Sequence, residues 1–268
     1  PYGSPILGSR ETVAAIGRDA LAETWDAAYR PSRCVLVAAG RLEHAALVSE
    51  AVRRWPAESE RFPEVEVTPP RARPPEAKRL ERETAQMHLC LGVPSFPDAD
   101  PRKPALEVAL AALGGGMSSR LFQRVREELG LAYAVYTFHS FYRRGGVAGV
   151  YAGTHAATAA QTVQTIEEEW RRLGADGLPE AELEATKSLV KGQRLLALES
   201  TTARMYRLAH PVLYDEPYET IDAEFARIDA VGVQEVAALC AHTLAPERWT
   251  RVSLGPARPE RPQRRAAG

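Results

Sequence analysis

Some segments of the chain have apolar residues at helical spacing, and others have continuous or strand-like apolar runs. Short helices are expected as far as residue 55, interrupted by the apolar run Cys34–Ala39, which is typical of a buried strand. Further strands are expected at Met87–Val93, Ala132–Phe138, Val147–Thr154 and Trp249–Leu254, with helices between most of them. This order predicts an α+β fold in which an antiparallel or mixed sheet is covered by helices.

A proline-rich stretch divides the chain. Residues 56–76 contain six prolines among charged residues, and we interpret them as an extended linker. Residues 1–55 would then belong to one unit and residues 77–255 to a second, complete one. The basic, proline-rich residues 256–268 are expected to be a disordered tail.

A short pattern occurs twice. Pro31, Arg33, Val37 and Gly40 recur 215 positions later as Pro246, Arg248, Val252 and Gly255. Because similar elements surround both copies, we interpret them as a divergent internal repeat whose earlier member keeps only its last helices and strand. On that basis roughly 140 residues of the first unit would precede Pro1, and the chain is expected to be a fragment.

Composition excludes several classes of function. The 268 residues have a formal net charge of −1, which argues against a nucleic-acid partner recognised through overall charge. No apolar run is long enough to span a bilayer, so no membrane association is expected. Cys34, Cys90 and Cys240 are far apart and are expected to be buried small hydrophobes, not a disulfide frame. Pro1 gives no information about compartment, and a cytoplasmic location is favoured by default.

The segment Leu113–Tyr133 is the most informative part of the sequence. Three consecutive glycines end one helix, and a second helix follows, stopped by Gly130 before a β-rich run. That second helix has an apolar face formed by Leu121, Phe122, Val125 and Leu129. At 100° per residue, Arg126 falls at the border of this face.

The ordered run Gly114–Phe122, then Val125–Glu128 and Gly130–Tyr133, resembles the pitrilysin or insulinase-type zinc peptidases. Within them it is most similar to the bacterial branch related to mitochondrial processing peptidase. The resemblance implies a LuxS/mitochondrial-processing-peptidase-like repeat fold and a metalloendopeptidase that hydrolyses peptide bonds with zinc-activated water. It also implies that a His-x-x-Glu-His motif and a further glutamate, in the first unit, hold the zinc.

No zinc-site residue can be assigned in this sequence. Its six histidines are His44, His88, His139, His155, His210 and His242. None begins a His-x-x-Glu-His motif, and no two are four residues apart, the spacing at which one helix face presents two ligands. Zinc is therefore expected only in an intact parent protein, and the chain alone is expected to bind none and to be inactive.

What the resemblance leaves to this chain is substrate binding. The family's second unit directs an arginine and a tyrosine, seven residues apart, at the substrate backbone, and Arg126 and Tyr133 have that spacing. Arginine offers a fork of donors to a peptide carbonyl, and a phenol can stabilise an oxyanion. Alternatively, Arg126 is a solvated charge and Tyr133 a packed strand residue. The loop Gly114, Gly115, Gly116 is either a flexible loop facing a peptide chamber or a tight turn between helices.

Three functions follow from these observations. The first is the C-terminal, substrate-binding portion of a zinc metalloendopeptidase. The second is a non-catalytic subunit that pairs with a zinc-bearing chain, and the third is a structural module like the core subunits of respiratory complexes. Expected partners are an extended peptide, which an edge strand could bind by strand addition, and the missing half or a partner subunit in a homo- or heterodimer.

Overall fold

The structure is a computed structural model that describes residues 3–55, 68–71 and 73–256. These residues form two compact units. One comprises the described residues up to Pro70 together with Arg194–Glu219, and the other comprises Arg71–Gln193 and the described residues from Thr220 onward. The sequence-based boundaries place residues 194–219 in the later unit, whereas the structure groups them with the first.

The first unit is helical where it is described. Its helices are α1 (Arg10–Ala14), α2 (Arg18–Ala28) and α3 (His44–Arg54), with α7 (Thr201–Tyr214) from later in the chain. None of the described residues before 56 is buried. The strand expected at Cys34–Ala39 is wrong: these residues have no regular structure. A strand needs a neighbour to accept its backbone hydrogen bonds, and the first unit supplies none among its described residues.

The two segments interpreted as an internal repeat share a local geometry. Pro31–Arg33 and Pro246–Arg248 are both single 3₁₀ turns. In each, an arginine Nη1 donates to a backbone oxygen six residues earlier at 3.1 Å, from Arg33 to Ala27 and from Arg248 to His242. The same arginine-to-backbone contact therefore occurs in both segments, 215 positions apart, which supports the inference that the two segments are homologous.

A five-stranded mixed sheet forms the centre of the second unit. Its strands are β1 (Ala77–Glu81), β2 (Met87–Ser95), β3 (Ala132–Tyr142), β4 (Gly145–Thr154) and β5 (Thr250–Gly255). The order across the sheet is β1-β5-β2-β4-β3. β1 is parallel to β5, and the other three pairings are antiparallel. The expected α+β fold with a mixed sheet is confirmed, and β3 is an edge strand.

Helices cover one face of this sheet: α4 (Lys103–Gly114) and α5 (Ala159–Asp176) pack against its strands. α8 (Ile221–Asp229) packs on α4, and α9 (Val233–Ala238) packs on both α4 and α5. α6 (Glu180–Ala197) contributes Leu183 and Val190 to the same core. β2 alternates between buried and more exposed positions, which directs Met87, Leu89, Leu91 and Val93 into the core. Trp170 of α5 is fully buried, and its ring lies edge-on to that of Trp249 at 4.9 Å.

Two of the expected segments, the linker and the tail, lie largely outside the described residues. Most of the proposed linker (56–67 and 72) and the tail from 257 are not among the described residues.

Cys240 is buried as expected, and burial raises the pKa of its thiol to about 12. Cys34 and Cys90 are exposed, so their assignment to the core was wrong. Cys34 lies in the segment that forms no strand, and Cys90 on the sheet face away from the helices. Within the described ranges, no helix is both long and apolar enough to cross a membrane.

Candidate functional site

The glycine loop is explained in part by packing. A Cβ at Gly114 would lie 2.6 Å from the backbone nitrogen of Thr137, so this glycine lets α4 approach the edge strand β3. The Thr137 hydroxyl donates to the Leu110 carbonyl at 2.7 Å across the same contact. Gly115 packs equally closely on Ala111, whereas a Cβ at Gly116 would meet nothing within 4 Å. Close packing of α4 on β3 accounts for Gly114, and a role of the loop Gly114–Gly116 in peptide binding stays a prediction.

The second predicted helix is widened into a π-helix over Phe122–Glu128. The backbone N–H of Leu129 donates to the carbonyl of Arg124, five residues earlier, at 3.2 Å. Gly130, with φ of +58°, ends the helix as predicted, and the Leu131 N–H reaches the Val125 carbonyl at 2.8 Å. Because a π-turn takes up more residues than an α-turn, the predicted apolar face shifts. Val125 stays fully buried, but Leu129 is exposed.

Three arginines of this segment have different environments. Arg120 forms two hydrogen bonds to the carboxylate of Glu182, at 2.7 and 2.8 Å, and these raise the pKa of its guanidinium. Arg124 donates to Glu128 at 2.5 Å, which raises its pKa as well. The Arg126 guanidinium instead stacks on the ring of Phe122, 4.7 Å from the ring centroid.

Arg126 keeps donor groups accessible to a ligand. Its Nε is 3.7 Å from the carboxylate of Glu127, which is too long for a hydrogen bond, and its side chain is 47% exposed. Stacking on Phe122 orients the guanidinium plane without using its N–H groups. The structure therefore places a pre-oriented, half-exposed cation directly before the edge strand.

Tyr133 lies in a β-bulge at the start of β3. Ala132 is opposite Thr154 of β4 and Ala134 is opposite Gly153, so Tyr133 is the extra residue between them. Bulges at sheet edges redirect a side chain, and they are frequent beside functional sites. Tyr133 is 63% exposed, and its ring lies edge-on to His155, with 5.7 Å between centroids. It is therefore not a packed strand residue.

Arg126 and Tyr133, the two predicted residues, lie on either side of the turn at the start of β3. Gly130 and Leu131 connect the π-helix to β3, and the helix packs against that strand. Arg126 and Tyr133 are thus an exposed cation and an exposed phenol on either side of one short turn. Chemically, such a pair can donate hydrogen bonds to two oxygen atoms of a peptide backbone.

Sequence reasoning missed the residues that support Tyr133. His155 lies just beyond β4, and its ring packs edge-on against that of Tyr133. Thr154, Thr158 and Thr162 form hydrogen bonds to one another and to the backbone of Leu131 and His155. Thr154 ends β4, and Thr158 and Thr162 follow at intervals of four residues at the start of α5. This spacing was a usable sign, because it places the last two hydroxyl groups on one helix face.

The chemistry of this site does not suit zinc. Zinc sites in proteins are built from several cysteine, histidine or carboxylate ligands. Here the groups are a guanidinium, a phenol and a single imidazole. The other sheet histidines have different surroundings: His88 Nδ1 is 2.7 Å from the Tyr151 hydroxyl, and His139 Nε2 is 3.9 Å from Glu107. We therefore derive no chemical step through a metal at this site.

The mixed sheet, its helical layer and the Gly114–Tyr133 segment together define an α+β unit of the kind that the zinc-peptidase resemblance implies. Residues 15–190 match the family model described as the peptidase M16 inactive domain, and the chain belongs to that family. The resemblance stated from the sequence is thereby confirmed.

Relatives and solved structures agree with this assignment. The chain is 36% identical over 234 residues to an uncharacterized zinc protease of Bacillus subtilis, YmxG, an alignment covering 87% of this chain and 57% of the relative. A peptidase M16 inactive domain from Pseudomonas fluorescens matches with a TM-score of 0.85 and 21% identity, covering 95% of this chain and 61% of that one. A chain of Complex III2 from Candida albicans matches with a TM-score of 0.81 and 21% identity, covering 94% and 62%. These structural matches show the fold, and the chain spans 57 to 62% of the length of each of these proteins.

Proposed function

We propose that this chain is the C-terminal, substrate-binding portion of a zinc metalloendopeptidase and has no peptidase activity by itself. In this proposal Arg126 and Tyr133 bind the backbone of an extended peptide, and zinc is held elsewhere in the parent protein. The observation on which the proposal depends is the accessibility of both side chains, each at an irregular point of the backbone. Such irregularities cost stability and are common where function requires a redirected side chain.

Backbone recognition would suit a peptidase that acts on unfolded chains. Arg126 would donate to a carbonyl near the scissile bond, and the Tyr133 hydroxyl would donate to the oxygen that becomes negatively charged. β3 is an edge strand, so a peptide could also add to the sheet beside it and form main-chain hydrogen bonds. Neither type of contact depends on the sequence of the substrate.

Two other functions make different demands on these residues or on the parent sequence. A non-catalytic subunit that pairs with a zinc-bearing chain would need Arg126 and Tyr133 equally, and the parent sequence would lack His-x-x-Glu-His. A structural module, for which the match to a chain of Complex III2 is the supporting observation, would not need them. Unchanged peptide binding after replacement of Arg126 would favour the structural module.

The first prediction concerns Arg126 in the purified chain. Arg126→Ala should weaken binding of a fluorescein-labelled unstructured peptide at least about tenfold, because a charge-assisted hydrogen bond is lost. Fluorescence anisotropy measures the affinity directly, with zinc chelated throughout.

Arg124→Ala provides a matched control for this test. Arg124 lies in the same π-helix and is also 47% exposed, but its guanidinium is bound to Glu128. Its replacement should change the affinity less than about twofold. Equal losses in the two variants would show that only overall charge matters, and no loss in either would contradict the proposed role of Arg126.

A further inference from the structure

Three threonine hydroxyl groups form a buried cluster beneath the start of β3. The Thr154 hydroxyl is 2.8 Å from that of Thr158 and 3.1 Å from that of Thr162. Thr154 and Thr162 are both 0% exposed. In such a dry environment hydrogen bonds are strong, and their geometry is closely defined.

The cluster is bound to the turn between Arg126 and Tyr133. Thr154 donates from its hydroxyl to the Leu131 carbonyl at 2.5 Å. Because a threonine hydroxyl has a single hydrogen, Thr154 can then only accept from Thr158 or Thr162. Thr154 is also the residue opposite Ala132, where the bulge begins. One hydroxyl group therefore fixes the backbone immediately before Tyr133.

The same cluster contacts the backbone of His155, whose ring packs against Tyr133. Thr158 lies 3.2 Å from the His155 carbonyl, within hydrogen-bonding distance of its hydroxyl. The single hydroxyl hydrogen of Thr162 is donated either to the Thr154 hydroxyl at 3.1 Å or to the Thr158 carbonyl at 3.0 Å, and both contacts lie at the start of α5. Both backbone segments next to Tyr133, Leu131 on one side and His155 on the other, are thus tied to the start of one helix.

We propose that Thr154 is a positioning residue, which holds the bulge so that the Tyr133 phenol points at the bound peptide. The effect of this positioning on peptide binding rests on the proposed function, but the orientation of Tyr133 itself can be measured without a peptide. Thr154→Val keeps the shape of the side chain and removes the hydroxyl. The Leu131 carbonyl loses its close donor, and Tyr133 should then populate more than one orientation.

The experiment places 3-fluorotyrosine at position 133 and records its ¹⁹F resonance. In the otherwise unchanged chain, one resonance is expected. Thr154→Val should shift or broaden it and lower the affinity for the labelled peptide about tenfold, since small displacements of a binding group are costly. Thr154→Ser, which restores the hydroxyl, should recover both the resonance and the affinity.

Thr186→Val is the matched control. Thr186 is also buried, at 7% exposure, but its hydroxyl donates to the Glu182 carbonyl within α6. Its replacement should leave both measurements unchanged. If Thr154→Val does not fold, Thr158→Val removes only the partly buried member and should give a smaller shift of the same kind.

The outcomes test the positioning role of Thr154 and the proposed peptide-binding function separately. An unchanged ¹⁹F resonance in folded Thr154→Val would overturn the positioning role. A shifted resonance, with peptide affinity unaffected by both Thr154→Val and Tyr133→Ala, would support the positioning role and contradict the proposed function. A shift of equal size in Thr186→Val would show a general loosening of the unit and overturn the assignment to Thr154.

Discussion

Replacing Tyr133 by phenylalanine should slow peptide hydrolysis by the proposed parent peptidase about 10²- to 10³-fold. The substitution removes one hydroxyl and keeps the ring, so packing against His155 is preserved. A donor that binds the substrate carbonyl, and binds it more strongly as negative charge develops, lowers kcat strongly when it is lost and raises KM by a smaller factor. Steady-state kinetics on a quenched fluorescent peptide measure both constants.

Tyr136→Phe is the control for this prediction. Tyr136 is also an exposed tyrosine of β3, but it is paired in regular register with Tyr151 and its ring packs on that residue. Its hydroxyl should be dispensable, with kcat changed less than about threefold. If Tyr133→Phe raised KM with kcat unchanged, Tyr133 would bind the ground state and would have no role in stabilising an oxyanion.

Replacing Trp170 by alanine should have the largest effect on stability. The indole is fully buried between the sheet and the C-terminal helices, and its neighbours Ile166 and Leu173 on α5 are buried as completely. The substitution leaves a large cavity and removes the edge-on contact with Trp249, so the free energy of unfolding should fall by about 3 to 5 kcal/mol. Urea denaturation followed by far-ultraviolet circular dichroism measures this change.

Trp25→Ala makes the same chemical change at an exposed position. Trp25 is 61% exposed in α2, where its ring stacks on that of Tyr29 at 4.3 Å. Little apolar surface is returned to water, so the loss should be below about 1 kcal/mol. Comparable losses in the two variants would contradict the assignment of the stable core to the second unit.

Strand positions were predictable wherever burial imposes alternation. In β2, alternate positions face the helical layer, and the apolar residues Met87, Leu89, Leu91 and Val93 occupy these positions. Arg143 and Arg144 form the turn between β3 and β4. β1 was missed because its five residues, including Lys78 and Arg79, are all exposed and show no apolar alternation. The strand expected at Cys34–Ala39 has the right composition but no partner strand among the residues that the structure describes, and composition alone does not supply one.

The candidate site was only partly predictable from the sequence. The spacing of Arg126 and Tyr133 could be recognised through the family resemblance, and Gly130 through its place after a helical pattern. The π-helix and the bulge could not be predicted, because each inserts one residue into a regular ladder and depends on tertiary packing. The contacts of His155 and Thr154 with the start of β3 depend on strand pairing, which brings residues over twenty positions apart together.

The central claim, that an extended peptide binds where β3 begins, is tested most directly by photocrosslinking. A peptide with a central benzoylphenylalanine is irradiated with the purified chain in the presence of chelator, and the attachment sites are mapped by mass spectrometry. We expect attachment within residues 117–136, abolished by excess unlabelled peptide and reduced by Arg126→Ala. Attachment confined to other surfaces, such as the exposed residues of α7, and unaffected by that substitution would contradict the account.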